Sequence, residues 1–415
     1  MVYLPLSIRA ICFLLLFFLS NLAFAQSGAI DVDGTDETTE HRIQRLRQQK
    51  ALHLEPPRSA WLHRIVLYVR QNKIPEKITY GYGGFRPRFG TLGPGSGFGV
   101  GVEYYRPDLA DERVTVRSSL TGSLQRFFMV DGEFEARRIG GSGFVNLLGF
   151  QRFSPNIDFY GEGPESSLNN RTGYSLHERN VQLTAGSEIR RRVRVGTSLR
   201  FRTSRAGDTR SAERPPVQSV FSPSQFPDLV FESSYFEAGG FFALAPRNDA
   251  GSAAEGNWAS LQFSQFISQT PDVAGFTRGE VLFQRTQLFL NQQRAVVLRA
   301  RTVRTSQKSG SVPFYLQPQL GGPDDLRGFR GRRFVDNNLF STSAEYQWQI
   351  LSEVSLALFT DVGKVFPHWN DWSLQHMEHS FGGGVRFGPT GDRTSRIDVA
   401  AGREGVQFWV VFANF

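Results

Sequence analysis

The sequence predicts an all-β fold, a transmembrane antiparallel β-barrel of about 16 strands behind a short N-terminal segment that is part helical and part disordered. Three observations lead there. Runs of about ten residues alternate between apolar and polar side chains, and their polar faces carry charges that a dry sheet core could not hold. A secretory leader opens the chain, yet no later apolar run approaches the roughly 20 residues that a spanning helix needs. Finally, the 415 residues include 37 Phe, 11 Tyr, 6 Trp and 42 Gly but a single Cys.

Taken in order, residues 1–25 form a signal peptide. Arg9 is its only positive charge, Ile11 to Leu19 its apolar core, and Ala23-Phe24-Ala25 its small-x-small cleavage site. The one cysteine, Cys12, falls inside this leader, so the rest of the chain can build neither a disulfide nor a thiolate metal site. Loss of Arg9 takes the formal charge from +8 to +7. Residues 26–76 are expected to be a periplasmic linker. It begins with the acidic, disordered stretch "SGAIDVDGTDETT". Ile43, Leu46 and Leu52 then mark a weak amphipathic helix. Trp61, Ile65 and Tyr68/Val69 mark a second, started by Pro56-Pro57 and Ser59 and stopped before Pro75. This segment is expected to rest on the barrel mouth or to enter the lumen as a plug.

Residues 77–415 carry the strand pattern. In "RRVRVGTSLRFRTSR", Val193, Val195, Thr197, Leu199 and Phe201 share one face, and Arg192, Arg194, Ser198, Arg200 and Arg202 the other. One such run could be the wet side of a soluble sheet. Repetition argues otherwise: the runs starting at Arg113, Phe127, Arg294, Ser341, Val354 and Ser395 alternate in the same way. Turns or Pro/Ser/Gly-rich loops such as "FYGEGPESSLNN" separate the runs. Closing these strands into a barrel satisfies every backbone group at membrane depth and removes the sheet edges.

The loop from Ser306 to Asn337 contains "LGGPDDLRGF". Alternation in the strand after it puts Thr342, Ala344, Tyr346, Trp348 and Ile350 toward lipid, which turns Glu345 into the lumen. In the next strand Val354, Leu356 and Leu358 face lipid, so Ser355, Ala357, Phe359 and Asp361 face inward. Two lumenal carboxylates require a cation, and a guanidinium suits them because it donates bidentately. The loop is therefore expected to fold into the barrel, with Arg327 meeting Glu345 and Asp361, Gly328 allowing a tight backbone and Phe329 packing beside the arginine.

With Leu326-Arg327-Gly328-Phe329, the glutamate of "SAEYQW" and "FTDVGKVF" on the page, the chain resembles the bacterial surface antigen family. That outer-membrane barrel superfamily contains the assembly factor BamA and the two-partner secretion transporters. The resemblance is specific from about Leu320 to Phe415 and topological before that. It implies a 16-stranded barrel whose loop arginine, here Arg327, contacts acidic residues of the two following strands, here Glu345 and Asp361. Eleven candidate strands precede the loop and five follow it, in keeping with the family topology. Family members that insert or secrete proteins carry periplasmic POTRA modules, whereas the 51 residues of 26–76 show no strand pattern of such a module. Trp409, Val411 and Phe415, in one phase, look like a terminal aromatic signature recognised during barrel assembly, with Ala413 in place of a larger residue.

Other chemistries fit less well. His376, Glu378 and His379 lie close in sequence, but on a strand the two histidines would point to opposite faces, so no metal site is expected. The glycines at Gly93 to Gly101 and Gly382 to Gly384 match no nucleotide-binding pattern before a helix and read as turns and strand kinks. The arginines alternate with apolar residues instead of lining one helix, which argues against nucleic acid as a partner. No catalytic constellation and no cofactor is expected. The implied setting is the bacterial outer membrane, with lipopolysaccharide and other outer-membrane lipids around the barrel and the barrel assembly machinery acting during biogenesis. The implied function is to assist insertion or translocation of a polypeptide or lipid client. The alternatives are a structural or passive-pore barrel and, further off, an outer-membrane enzyme.

Overall fold

The computed structural model describes residues 82–411 apart from 94, 190–191, 212, 223–231, 245–255, 272, 291–292, 308–311, 352–353 and 388–394. The expected signal peptide, the two linker helices, the start of the barrel region at 77–81 and Phe415 lie outside the described residues.

The strands leading to the long loop are β1 (Phe85–Gly90), β2 (Gly99–Leu109), β3 (Val114–Ser123), β4 (Phe128–Ile139), β5 (Gly143–Phe159) and β6 (Thr172–Ile189). They continue with β7 (Val193–Asp208), β8 (Glu232–Leu244), β9 (Gly256–Ser268), β10 (Phe276–Phe289) and β11 (Arg294–Gln307). Two short strands, β12 (Gln319–Leu320) and β13 (Phe334–Val335), pair with each other inside the loop. After it come β14 (Asn338–Leu351), β15 (Val354–Phe366), β16 (Glu378–Phe387), β17 (Ser395–Gly402) and β18 (Gly405–Val411).

All except β12 and β13 form one antiparallel sheet of 16 strands in chain order, a nearly closed barrel as the alternation predicts. Among the described residues β1 and β18 stand at the two ends of that order, and they are also its shortest members. In the alternating strand order the connections that follow β5, β7 and β11 leave from one end of the barrel, and the tight connections 110–113 and 140–142 lie at the other. Long loops mark the extracellular end of such barrels and short turns the periplasmic end.

Burial runs inside out relative to a soluble protein. Val195, Leu199 and Phe201 of β7 are exposed on the outer wall, as are Val181, Leu261, Phe263 and Phe283 on neighbouring strands. Glu103, Asp131, Glu178, Glu237, Glu345 and Asp361 are buried in the lumen. Their charges are tolerable there because each faces arginine: Arg88 reaches Asp131 at 2.9 Å, Arg152 Glu178 at 2.6 Å and Arg200 Glu237 at 3.0 Å.

The extracellular half of the lumen is filled by the loop itself. Val312, Phe314, Tyr315 and Leu316 pack against Phe159, Tyr174, Tyr235 and Phe276 of the wall. Leu320, Leu326, Phe329 and Phe334 form a second cluster with Val303, Leu339 and Val365. Each such side chain taken from water contributes about 1.5–3 kcal/mol, whereas an ion pair's gain is largely cancelled by desolvation. Apolar burial therefore holds the loop in, and the charges fix how it sits.

Candidate functional site

The site grows from alternation on three strands. On β14, Ser343, Glu345 and Gln347 are buried between the outward-facing Thr342, Ala344, Tyr346 and Trp348. On β15, Phe359 and Asp361 face inward in the same way, and on β16 Ser380 and Arg386 do so. The loop lowers Arg327 among them until the residue is 3% exposed.

Arg327 is held on every side. Its Nε and Nη2 donate to Asp361 at 3.0 Å (Oδ2) and 2.7 Å (Oδ1), a bidentate pair, while its backbone N–H also donates to Asp361 Oδ2 at 3.0 Å. Nη1 donates to Glu345 Oε2 at 2.6 Å, and Nη2 donates a further bond to Ser343 Oγ at 3.0 Å. The guanidinium carbon lies 3.3 Å from the ring centroid of Phe359, where the ring's negative face favours the cation. Ser380 Oγ donates to Asp361 Oδ2 at 3.0 Å, and Gln347 Nε2 to Glu345 Oε1 at 2.8 Å. The structure thus brings Arg327, Glu345 and Asp361 together. The ring on the arginine, however, is Phe359. The aromatic ring of Phe329 turns away into the apolar cluster with Leu320, Leu326 and Phe334, where it is fully buried, since the face of the guanidinium is already taken by Phe359.

Strands β16 and β17 extend the network beyond the trio that the sequence predicts. Arg386 grips Glu345 with Nε to Oε1 and Nη2 to Oε2, both at 2.9 Å, and its Nη1 donates to Asp398. Arg396 donates to Asp398 Oδ2 at 3.1 Å and returns to the loop at Asp324 Oδ1, 2.9 Å away. Arg301 of β11 ties down the neighbouring Asp325 at 2.9 Å. The signal was present in "GVRFG" and "SRIDVAAG", whose alternation turns Arg386 and Asp398 inward.

Close packing requires the glycines. A Cβ on Gly328 would lie 2.6 Å from Ser380 Cβ and 2.7 Å from the Ala401 carbonyl oxygen. Gly382 and Gly384 lie within the strand β16 and not in a turn. A Cβ on Gly382 would come within 2.7 Å of the Phe359 ring, and one on Gly384 within 2.8 Å of Arg386 Nη1. These glycines thin the wall so that the network fits.

A second arginine fixes the extracellular side of the loop. Arg333, 1% exposed, donates through Nε to Glu404 at 2.8 Å and through Nη1 to Ser166 Oγ at 2.8 Å. Asp336, three residues on, accepts from the Asn337 N–H at 2.7 Å, and among the described residues no cation pairs with it. Burial pushes its carboxyl up to about 6, against the opposing pull of the Asn337 N–H and His368.

Trp409 points into the lumen, where its Nε1 donates to the Arg327 carbonyl oxygen at 2.7 Å. The outward residues of β18 are Val406, Phe408 and Val410, so the aromatic presented to lipid on this strand is Phe408. Val411 shares the phase of Trp409, and Phe415 lies outside the described residues. His376 sits in the β15–β16 connection, and Glu378 pairs with Arg403 at 2.7 Å. Among the described residues no group of three His, Cys, Asp or Glu side chains is arranged to hold a metal.

The pattern of the Omp85 superfamily domain matches residues 88–391. No curated protein matches the sequence. Among solved structures, BamA from Haemophilus ducreyi lacking POTRA domains 1–3 is similar with a TM-score of 0.58 at 14% identity, over 78% of this chain and 69% of that one. CdiB from Acinetobacter baumannii matches with a TM-score of 0.47 at 11% identity, over 79% of this chain and 56% of its own. CdiB from Escherichia coli does so with a TM-score of 0.46 at 11% identity, over 80% and 60%. The superfamily match takes in most of the barrel, from β1 to the β16–β17 connection, and with it the loop and its carboxylates; the chain is a bacterial outer-membrane member of the Omp85 superfamily.

Proposed function

We propose that this barrel assists the insertion or translocation of a polypeptide or lipid at the outer membrane, with Arg327 holding the loop in a defined resting position. One observation carries the reading. A cavity of about 1010 Å³ is lined by Arg152, Glu178 and Arg202 of the lumen, by Leu92 and Phe98 beside β1, and by Phe408 to Val411 of β18. The same space thus touches hydrated charge and the edge strands, where a client could pass between lumen and membrane. A passive pore fits less well, since two apolar clusters fill the extracellular half of the lumen. No catalytic role is proposed. Residues 1–25 are read as a removed leader, and 26–76 as a periplasmic segment ahead of the barrel. The barrel assembly machinery is the partner expected during biogenesis.

Cysteine pairs provide the test because the chain carries no cysteine after Cys12. One partner is placed within Phe85–Gly90 and the other within Gly405–Val411. In cells whose outer-membrane or secreted protein profile changes on deletion of this gene, the oxidised pair should reproduce the deletion and reductant should reverse it. A crosslinked barrel that supports the normal profile would refute passage at the edge strands.

A further inference from the structure

The outer wall near the extracellular ends of β5 to β8 carries a patch that the lumenal site does not use. Register places Phe153, His177, Arg205 and Glu232 in one row across four strands, and Gln151, Arg179, Thr203 and Ser234 in the row beneath. The next row down is Gly149, Val181, Phe201 and Phe236, and below that come Leu147, Leu183, Leu199 and Ala238. The wall therefore changes from lipid-facing apolar residues to cations within one step. Arg210, just past β7, places its guanidinium 4.8 Å from the Phe153 ring centroid, and the His177 ring lies 4.3 Å from the same ring. A groove of about 270 Å³ runs between His177, Arg179, Arg205 and Glu232.

The charge balance distinguishes this patch from the lumen. Inward arginines of the same strands have carboxylates: Arg152 has Glu178, and Arg200 and Arg202 have Glu237. Arg179, Arg205 and Arg210 are exposed and make no ion pair among the described residues; of the two acidic residues that line the groove, Glu178 is buried and paired with Arg152, which leaves Glu232 on the outer face. Three guanidiniums crowded at the edge of an apolar belt repel one another unless an anion joins them. An anion at that height, with acyl chains lying over Val181, Leu183, Leu199 and Phe201, is a phosphorylated lipid of the outer leaflet. Guanidinium is suited to it through paired, charge-assisted N–H···O bonds.

We propose that this patch binds the phosphate groups of lipopolysaccharide, anchoring one glycolipid molecule against β5 to β7. The proposal rests on the outer-membrane setting and is independent of any client. It is tested by binding of the detergent-purified full chain to lipopolysaccharide bearing its lipid A phosphates. Arg179→Gln with Arg205→Gln should weaken binding about ten-fold or more, and the corresponding double lysine variant should retain part of it. Enzymatically dephosphorylated lipopolysaccharide should bind wild type as weakly as the intact form binds the glutamine variant. Inorganic phosphate should not compete, and phosphatidylglycerol vesicles should bind less tightly. Unchanged binding by a glutamine variant that still folds, equal binding of the dephosphorylated form, competition by phosphate, or equal binding to phosphatidylglycerol would each overturn the proposal. Should the double variant not fold, Arg210→Gln, outside the strands, carries the same comparison.

Discussion

Arg327 is the residue on which the loop turns. With its partners almost fully buried, Arg327→Ala leaves Asp361 without its cation while Glu345 keeps Arg386, and orphaning a buried charge costs about 3–5 kcal/mol. The strand ladder does not pass through this contact, so the barrel should still assemble while the loop loosens, visible as faster cleavage by external protease. Arg327→Lys should restore only part, because an ammonium cannot reproduce the bidentate bond to Asp361. A double-mutant cycle between Arg327 and Asp361 should give coupling well above about 0.5 kcal/mol; additive losses would deny the pair its role. Asp336 offers a pH test. Its folded carboxyl is raised to about 6, above its unfolded value of about 3.9. Ionisation therefore opposes the folded loop as pH rises between those values, and the loop should be tightest on the acid side. Asp336→Asn should flatten that pH dependence in hydrogen exchange of the loop amides, corrected for intrinsic rates. Glu345 and Asp361 were legible in sequence because period-2 alternation turns each inward, and Arg327 because two lumenal carboxylates call for a cation from the loop beside them. Which inward charges meet was not, since contacts across β14 to β17 depend on strand tilt and register; Arg386 and Asp398 escaped for that reason.

Among the elements, β16 and β18 carry the clearest consequences. Gly384 in β16 leaves no room for a methyl group beside Asp398 and Arg386. Gly384→Ala should therefore destabilise the barrel by about 1–3 kcal/mol through overpacking, measured as a lower temperature for losing the compact, unboiled gel form. An unchanged temperature would mean that β16 can shift to accept the methyl. Glycine within a strand usually signals a bend or a close approach, and sequence alone could not choose between them. Here the approach is that of Phe359 and Arg386. At the chain's end, deletion of Phe415 should lower the yield of assembled barrel, and an unaltered yield would place the assembly signal elsewhere, with Phe408 of β18 the next position to test.

For the whole molecule, the mature protein should fractionate with outer membranes and migrate differently before and after boiling; recovery as a soluble periplasmic protein would contradict the barrel. The architecture was readable because apolar-out, polar-in strands repeat along the chain, as β7 shows with Leu199 outward and Arg200 inward. The loop's seat was only half readable. Its arginine had a visible counter-charge, but the aromatic packing of Phe314 and Tyr315 joins the loop to strands far away in sequence, where no local period applies. The grip on Arg327 has the opposite character. Ser343, Glu345, Asp361 and Trp409 all lie downstream of it, the farthest 82 residues away. The consequence concerns the order of assembly: once the last five strands have come together, the lock has all its parts, whether or not the first eleven have yet joined them.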